Sequence, residues 1–222
     1  MEDLKILKVK DTDKSVINEI VDIHLATFEG FFLTFMGRGF LKQMYKSYIK
    51  HEKSDILVAR DDGKILGFLA YSEQMSELYK YMIKHHALQF AWYSLGAFVR
   101  KPKVFMRLIR AFLKPGESQR NESYVELASI GVHPDAKCKG VGSLLIKALK
   151  NEVDFEKFEY ITLETDALNN EAANKFYLKN GFTVEREYET REGRKMYEYR
   201  YIGVANDAAK KDSLYFEYSQ KS

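Results

Sequence analysis

The sequence predicts a mixed α/β domain, and three observations carry that prediction. Strand-like and helix-like periodicities alternate along the chain in the order β-α-α-β-β-(insertion)-β-α-β-α-β-β. Two strand-like runs, Ile56 to Arg60 and Ile65 to Tyr71, flank Asp61-Asp62-Gly63-Lys64, an Asp-Gly hairpin signal. Further on, the apolar run Tyr124 to Val132 feeds a proline-marked exit, a loop with two glycines and then a long apolar-faced helix.

Leu4 to Val9 alternates as a short strand. Asp11-Thr12-Asp13 caps the next helix, where Val16, Ile17, Ile20, Ile23 and Leu25 recur at helical period. Phe28 to Phe40 holds three glycines and five phenylalanines, which reads as a loop packed down on the core. Leu41 to Ile49 is expected to be a second helix, followed by the hairpin. Residues 75–121 break the hairpin pattern and read as a helical insertion between the third and fourth strands. Within it, Ser76 to about Phe98 is helical. After Pro102, residues 103–114 set Val104, Phe105, Leu108, Ile109, Phe112 and Leu113 against Lys103, Arg107, Arg110 and Lys114.

Ser143 to Val153 is the helix after the glycine loop, and Tyr160 to Thr165 another strand. Asn170 to Asn180 is a helix ended by Gly181. Thr183 to Tyr188 and Lys195 to Tyr201 form a last hairpin around Arg191-Glu192-Gly193-Arg194. Residues 1–205 read as one domain and 206–222 as a tail whose Ser213-Leu214-Tyr215-Phe216-Glu217-Tyr218 segment either adds a strand or stays loose.

Composition narrows the function. Hydrophobic content is 45% and charged content 30%, as in an ordinary soluble globular protein. Cys138 is the one cysteine, so no internal disulfide or thiolate zinc site can form, and a reducing compartment fits. The five histidines show no i, i+4 pair, and no metal is expected. No apolar run approaches the ~20 residues a membrane span needs, and no signal-peptide core opens the chain. The expected location is cytoplasmic. The net charge of +3 is regional: Leu78 to Gly116 carries eight basic and no acidic residues, and the remainder 27 basic against 32 acidic.

Val125 to Gly142 concentrates the chemistry. Lys137-Cys138-Lys139-Gly140-Val141-Gly142 has the form K-x-x-G-x-G before a helix start, where backbone N–H groups and the helix dipole favour an anion. Neither a dinucleotide fingerprint nor a Walker loop is matched. By itself this loop is equally a tight connection. Thirty residues after Gly140 comes Asn170-x-x-Ala173-x-x-Phe176-Tyr177, then Gly181-Phe182. The pair of motifs resembles the GCN5-related N-acetyltransferase (GNAT) superfamily. Val132, Pro134, Lys137, Gly140 and Gly142 fill its first pattern, with Lys137 where Arg or Gln is usual; this keeps the charge and loses the planar fork.

The resemblance implies a GNAT fold, with a mixed central sheet splayed between its two parallel middle strands. It also implies an acetyl-coenzyme A site. The pyrophosphate would lie on the backbone of Lys137, Cys138, Lys139, Gly140, Val141, Gly142 and Ser143. The pantetheine arm would pair with the strand at Ile130, Gly131 and Val132 and meet Asn170, Ala173 and Phe176. The N–H near Val132 would serve the oxyanion. Glu126, six residues before Val132, is the implied base; a solvated strand-end carboxylate is the equal alternative, and Glu164 a weaker candidate. Tyr177 takes the general acid's position, where a phenol of pKa near ~10 suits donation to a thiolate; the alternative is a packing tyrosine. Cys138 is not expected to act as a nucleophile, and His133 is a turn residue.

The implied activity is direct N-acetyl transfer to a primary amine of a small molecule, with an anionic acceptor or an amino sugar as candidates. A protein or peptide amine, or a non-catalytic acyl-coenzyme A sensor, are the alternative readings. The Phe-rich segment 28–40 and the insertion 75–121 fall where this family builds its acceptor side. The basic aromatic face around 100–114 has three readings: an anionic acceptor site, a membrane-surface contact (not the preferred one), or a lid with solvated charges. Nucleic acid is a poor fit, since no such motif is present. Monomer and homodimer both remain open.

Overall fold

The computed structural model of the chain describes residues 4–100, 102, 122–190 and 193–203. Among these residues there are β1 (Lys5–Lys8), α1 (Lys14–Thr27), α2 (Phe32–Met36), α3 (Arg38–Lys50), β2 (Ser54–Asp61), β3 (Lys64–Ser72) and α4 (Met75–Arg100). The second half adds β4 (Tyr124–Val132), a 3-10 turn (Pro134–Ala136), α5 (Val141–Glu152), β5 (Tyr160–Asp166), α6 (Glu171–Lys179), β6 (Thr183–Glu189) and β7 (Lys195–Ile202). The strand order is β1-β2-β3-β4-β5-β7-β6. β4 and β5 pair in parallel, as expected for the middle strands, whereas β1–β2, β2–β3, β5–β7 and β6–β7 are antiparallel. Their ladder ends after Tyr124–Tyr160, Val125–Ile161 and Glu126–Thr162, although β4 runs on to Val132 and β5 to Asp166.

The chain divides into two compact units, Met1–Gln119 with Ala128–Ala148, and Arg120–Leu127 with Leu149–Ser222. In the first unit, Asp13 caps α1 by accepting from the Ser15 N–H at 2.8 Å, which satisfies one orphan donor of the first turn. The β2–β3 hairpin turns through Asp62 (φ 45°) and Gly63 (φ 77°), two left-handed residues as a type I′ turn requires. Ile17, Ile20, Val21 and Ile23 of α1, Leu41 and Tyr45 of α3, and Ile56 and Phe68 of the hairpin share one buried core. Each such side chain contributes about 1.5–3 kcal/mol of burial.

The Phe-rich segment departs from the loop expectation. It holds α2 and the first turn of α3, and Gly37 (φ 92°) is the left-handed junction between them. Met36 and Phe40 are buried, whereas Phe31 is half exposed, so the segment is only partly packed down. The glycines here separate helices rather than prevent them. The insertion helix is continuous from Met75 to Arg100 and packs along α3, with Phe90 edge-on to Phe40 at 4.8 Å. The amphipathic segment 103–114 and the tail lie outside the described residues.

A buried polar chain crosses this core. His24 Nδ1 lies 2.6 Å from the Tyr45 hydroxyl, and Tyr45 also hydrogen-bonds Ser129 of β4. His24 is 2% exposed between Phe28 and Phe68 rings, and its Nε2 has no partner among the described residues. Burial lowers the imidazole from 6.5 to about 4. Above pH 6.5 both folded and unfolded chains hold it neutral. Below 6.5 only the unfolded chain takes the proton, so stability falls as pH drops from 6.5 and levels off near 4. The loss expected is about 3 kcal/mol at most, and His24→Gln should flatten that limb of a urea-melt series against pH.

In the second unit, α6 ends in a Schellman motif: Phe182 N–H donates to the Tyr177 carbonyl at 3.1 Å and Gly181 N–H to Leu178 at 2.9 Å. Gly181 has φ 79°, as the sequence pattern requires. Lys150 of α5 donates to the Asn180 carbonyl at 2.5 Å and stands 3.5 Å over the Tyr201 ring. Desolvation lowers its pKa.

Candidate active site

In the first unit, β4 leads through the Pro134–Ala136 turn into a loop of exposed residues, Lys137 to Gly140. Cys138 (φ 61°) and Gly140 (φ 81°) are both left-handed. Alternation of this kind turns successive N–H groups to one side, forming an anion-binding concavity. A Cβ built on Gly140 meets nothing within 4 Å, so the space in front of the loop is open. α5 begins at Val141, and its first intrahelical-type bond is Leu144 N–H to the Gly140 carbonyl at 3.0 Å. The N–H groups of Val141, Gly142 and Ser143 therefore have no carbonyl one turn back in the helix. Lys137 and Lys139 flank them. This donor set fits a pyrophosphate. Cys138 is exposed in this loop.

Upstream, Gly131 is fixed by crowding. A Cβ there would lie 2.8 Å from Phe68 and 3.3 Å from Ile23, and one on Gly67 would lie 3.0 Å from the Gly131 carbonyl. Thr27 donates to the Val132 carbonyl at 3.3 Å, and His133 N–H to Leu66 at 2.8 Å. Ile130 to Val132 is thus held as a rigid rail.

In the second unit, Tyr177 is 8% exposed and its ring packs with Phe176, Phe182 and Tyr199. No hydrogen bond to its hydroxyl is made among the described residues. Burial first, and then Tyr199, push its pKa well above the usual phenol value. Asn170 precedes α6, and its Nδ2 donates to Thr165 Oγ1 at 2.7 Å and to the Asp166 carbonyl at 3.3 Å. Asn174 accepts from the Tyr199 hydroxyl at 3.2 Å and so fixes the ring beneath Tyr177. Ala173 and Phe176 are half-buried on the same helix.

Strand alternation places the two implied catalytic side chains apart. Glu126 pairs with Thr162, and Thr162 with Arg200. Tyr199, the neighbour of Arg200, points to the opposite face, where Tyr177 stacks on it. Glu126 and Tyr177 therefore serve opposite faces of this sheet. Glu164 already accepts from the Tyr188 hydroxyl at 2.6 Å.

The acetyltransferase (GNAT) family model matches residues 17–182. The chain belongs to that family. GNAT enzymes take their acetyl group from acetyl-coenzyme A, so membership makes this chain an acetyltransferase with that donor. Solved GNAT structures share its fold. A GNAT-family acetyltransferase from Bacillus cereus is 16% identical, with 91% of this chain and 99% of that one covered and a TM-score of 0.56. The Escherichia coli ribosomal-protein-S18-alanine N-acetyltransferase is also 16% identical, covering 90% and 94% at TM-score 0.54. Arabidopsis thaliana NAA60, solved with acetyl-CoA, is 15% identical, covering 90% and 98% at TM-score 0.52. No curated protein matches the chain. Among the described residues, no helix is long and apolar enough to cross a membrane.

This GNAT chain also carries a charged face that the motifs did not reveal. Glu198 of β7 has no exposure at all. Arg186 Nε donates to it at 2.6 Å and Arg200 Nε at 3.1 Å. Arg200 also pairs with Glu122 at 3.3 Å and Glu185 at 3.4 Å, and lies 4.1 Å over the Tyr160 ring. The signal was present in Met196-Tyr197-Glu198-Tyr199-Arg200-Tyr201, where charge and aromatic residues alternate. Period two shows that charges share a face, but not that the face is buried.

Proposed function

We propose that the chain moves the acetyl group of acetyl-coenzyme A directly onto a primary amine of a small molecule, within a ternary complex. The observation that carries this reading is the open left-handed loop at the start of α5, fed by β4. Lys137, Lys139 and the N–H groups from Val141 to Ser143 hold the pyrophosphate. Ile130 to Val132 offer backbone partners to the pantetheine amides. Glu126 takes the amine proton, the nitrogen bonds to the acetyl carbon, and the carbon–sulfur bond breaks. Tyr177 gives its proton to the departing sulfur. Base and acid on opposite sheet faces suit this sequence, because the amine enters from one side and the thiolate leaves on the other.

The face bearing Glu126 also bears Glu122, Glu164, Glu185 and Glu198 against Arg186 and Arg200. An acceptor with further positive charge is favoured there over an anionic one. Thiol release over a panel of polyamines, amino sugars, anionic amines and short peptides tests the reading. Turnover of small cationic amines supports it; turnover of peptides alone, or saturable coenzyme binding without turnover, overturns it. Replacing Lys137 and Lys139 together by Gln should raise the KM for acetyl-coenzyme A by about tenfold at low salt, with the difference shrinking as ionic strength rises.

A further inference from the structure

We infer that α4 docks on the surface of an anionic phospholipid bilayer through the exposed apolar stripe of its second half. The inference goes beyond the transfer reaction and does not rest on it. Residues 87–99 of α4, Ala-Leu-Gln-Phe-Ala-Trp-Tyr-Ser-Leu-Gly-Ala-Phe-Val, hold no charged side chain. One face of the helix is used by the fold: Met75, Leu78 and Met82 are buried, and Phe90 packs on Phe40. The other face is equally apolar and stands in solvent. Leu88 is 85% exposed, Trp92 73%, Leu95 51% and Val99 72%. Their spacing of four, three and four residues keeps them within an arc of about 60° at ~100° per residue, roughly opposite the buried face.

A helix that is apolar all round is either enclosed or in contact with lipid. Thirteen uncharged residues fall short of the ~20 needed to span a bilayer, so the geometry is that of a helix lying on the surface. The flanks select the partner. Lys84 precedes the stripe, Arg100 and Lys101 follow it, and no acidic residue occurs from Leu78 to Gly116. Glu77, the one carboxylate of α4, is already paired with Lys80 at 2.8 Å. The helix packed alongside, α3, carries Arg38, Lys42, Lys46 and Lys50 and no carboxylate; of these Arg38 is taken up by Asp22. Symmetric packing with a second copy would bring this cationic region against itself. An anionic lipid surface accepts both the apolar stripe and its basic flanks. Trp92 is also a side-chain type that favours the headgroup boundary.

Trp92 is the chain's one tryptophan, so its fluorescence reports on the stripe directly. The full chain is mixed with vesicles of phosphatidylcholine alone, or of phosphatidylcholine and phosphatidylglycerol in equal amounts. The expected result is a blue-shifted Trp92 emission and co-flotation with the phosphatidylglycerol vesicles only, reversed by high salt. Leu88→Ser with Leu95→Ser should abolish both signals while circular dichroism and acetyl-coenzyme A binding stay unchanged. Lys84→Gln with Arg100→Gln, which leaves the apolar stripe intact, should weaken binding by roughly 25-fold, about fivefold per cation. An unshifted Trp92 on anionic vesicles overturns the inference. So does equal flotation with neutral vesicles. A Trp92 already shielded without lipid overturns it too: in a dimer the occupant is a second copy, and in a monomer it is residues 103–114.

Discussion

Tyr177→Phe should lower kcat by about a hundredfold or more and leave the KM for acetyl-coenzyme A unchanged. The phenyl ring keeps its contacts with Phe176, Phe182 and Tyr199. The deleted hydroxyl makes no hydrogen bond among the described residues, so folding stability should hardly move. What is lost is a proton that burial keeps on the phenol. A raised pKa means the acid stays protonated through and beyond its ordinary range near ~10. The wild-type rate should therefore show no alkaline fall from this group below that pH. Steady-state kinetics with a turned-over amine decide the matter. A variant within threefold of wild type, or so, in kcat would make Tyr177 a packing residue.

The second large effect is on stability. Glu198→Ala should destabilise the chain by about 1–3 kcal/mol, because two guanidinium groups each lose a charge-assisted hydrogen bond to a fully buried carboxylate. Arg200 is 15% exposed and Arg186 is half exposed, and both aim their Nε at this carboxylate. Arg200 retains Glu122 and Glu185, whereas Arg186 loses the carboxylate that accepts from its Nε at 2.6 Å. For a chain of this length the shift in Tm should be roughly 5 °C. Calorimetry measures it, and a loss under about 1 kcal/mol would show that the two guanidinium groups resolvate freely.

The loop between β4 and α5 was legible because its instructions are local. Gly140 is left-handed, Pro134 opens the turn, and the helix starts at Val141, two residues before the expected Ser143. The Asp62-Gly63 turn and the Gly181 cap were readable for the same reason: φ > 0 selects residue type at that position alone. Phe28 to Phe40 misled because glycine was taken to oppose helix. Gly37 instead joins two helices, and the burial of Met36 and Phe40 by distant side chains outweighs its propensity.

By itself the sequence determined the family and the donor, and it located the left-handed loop at the start of α5, since motif spacing and backbone conformation are written within a few residues of each other. Tertiary structure alone decided that Glu126 and Tyr177 serve opposite sheet faces, that Glu198 is buried between two arginines, and that His24 is sealed against Tyr45. It also decided that α4 leaves Leu88, Trp92, Leu95 and Val99 in solvent. Each of these depends on strand register or on which helix face meets the core. Such pairings join residues far apart in the chain, and a side chain's periodicity says which neighbours share its face but not what that face meets.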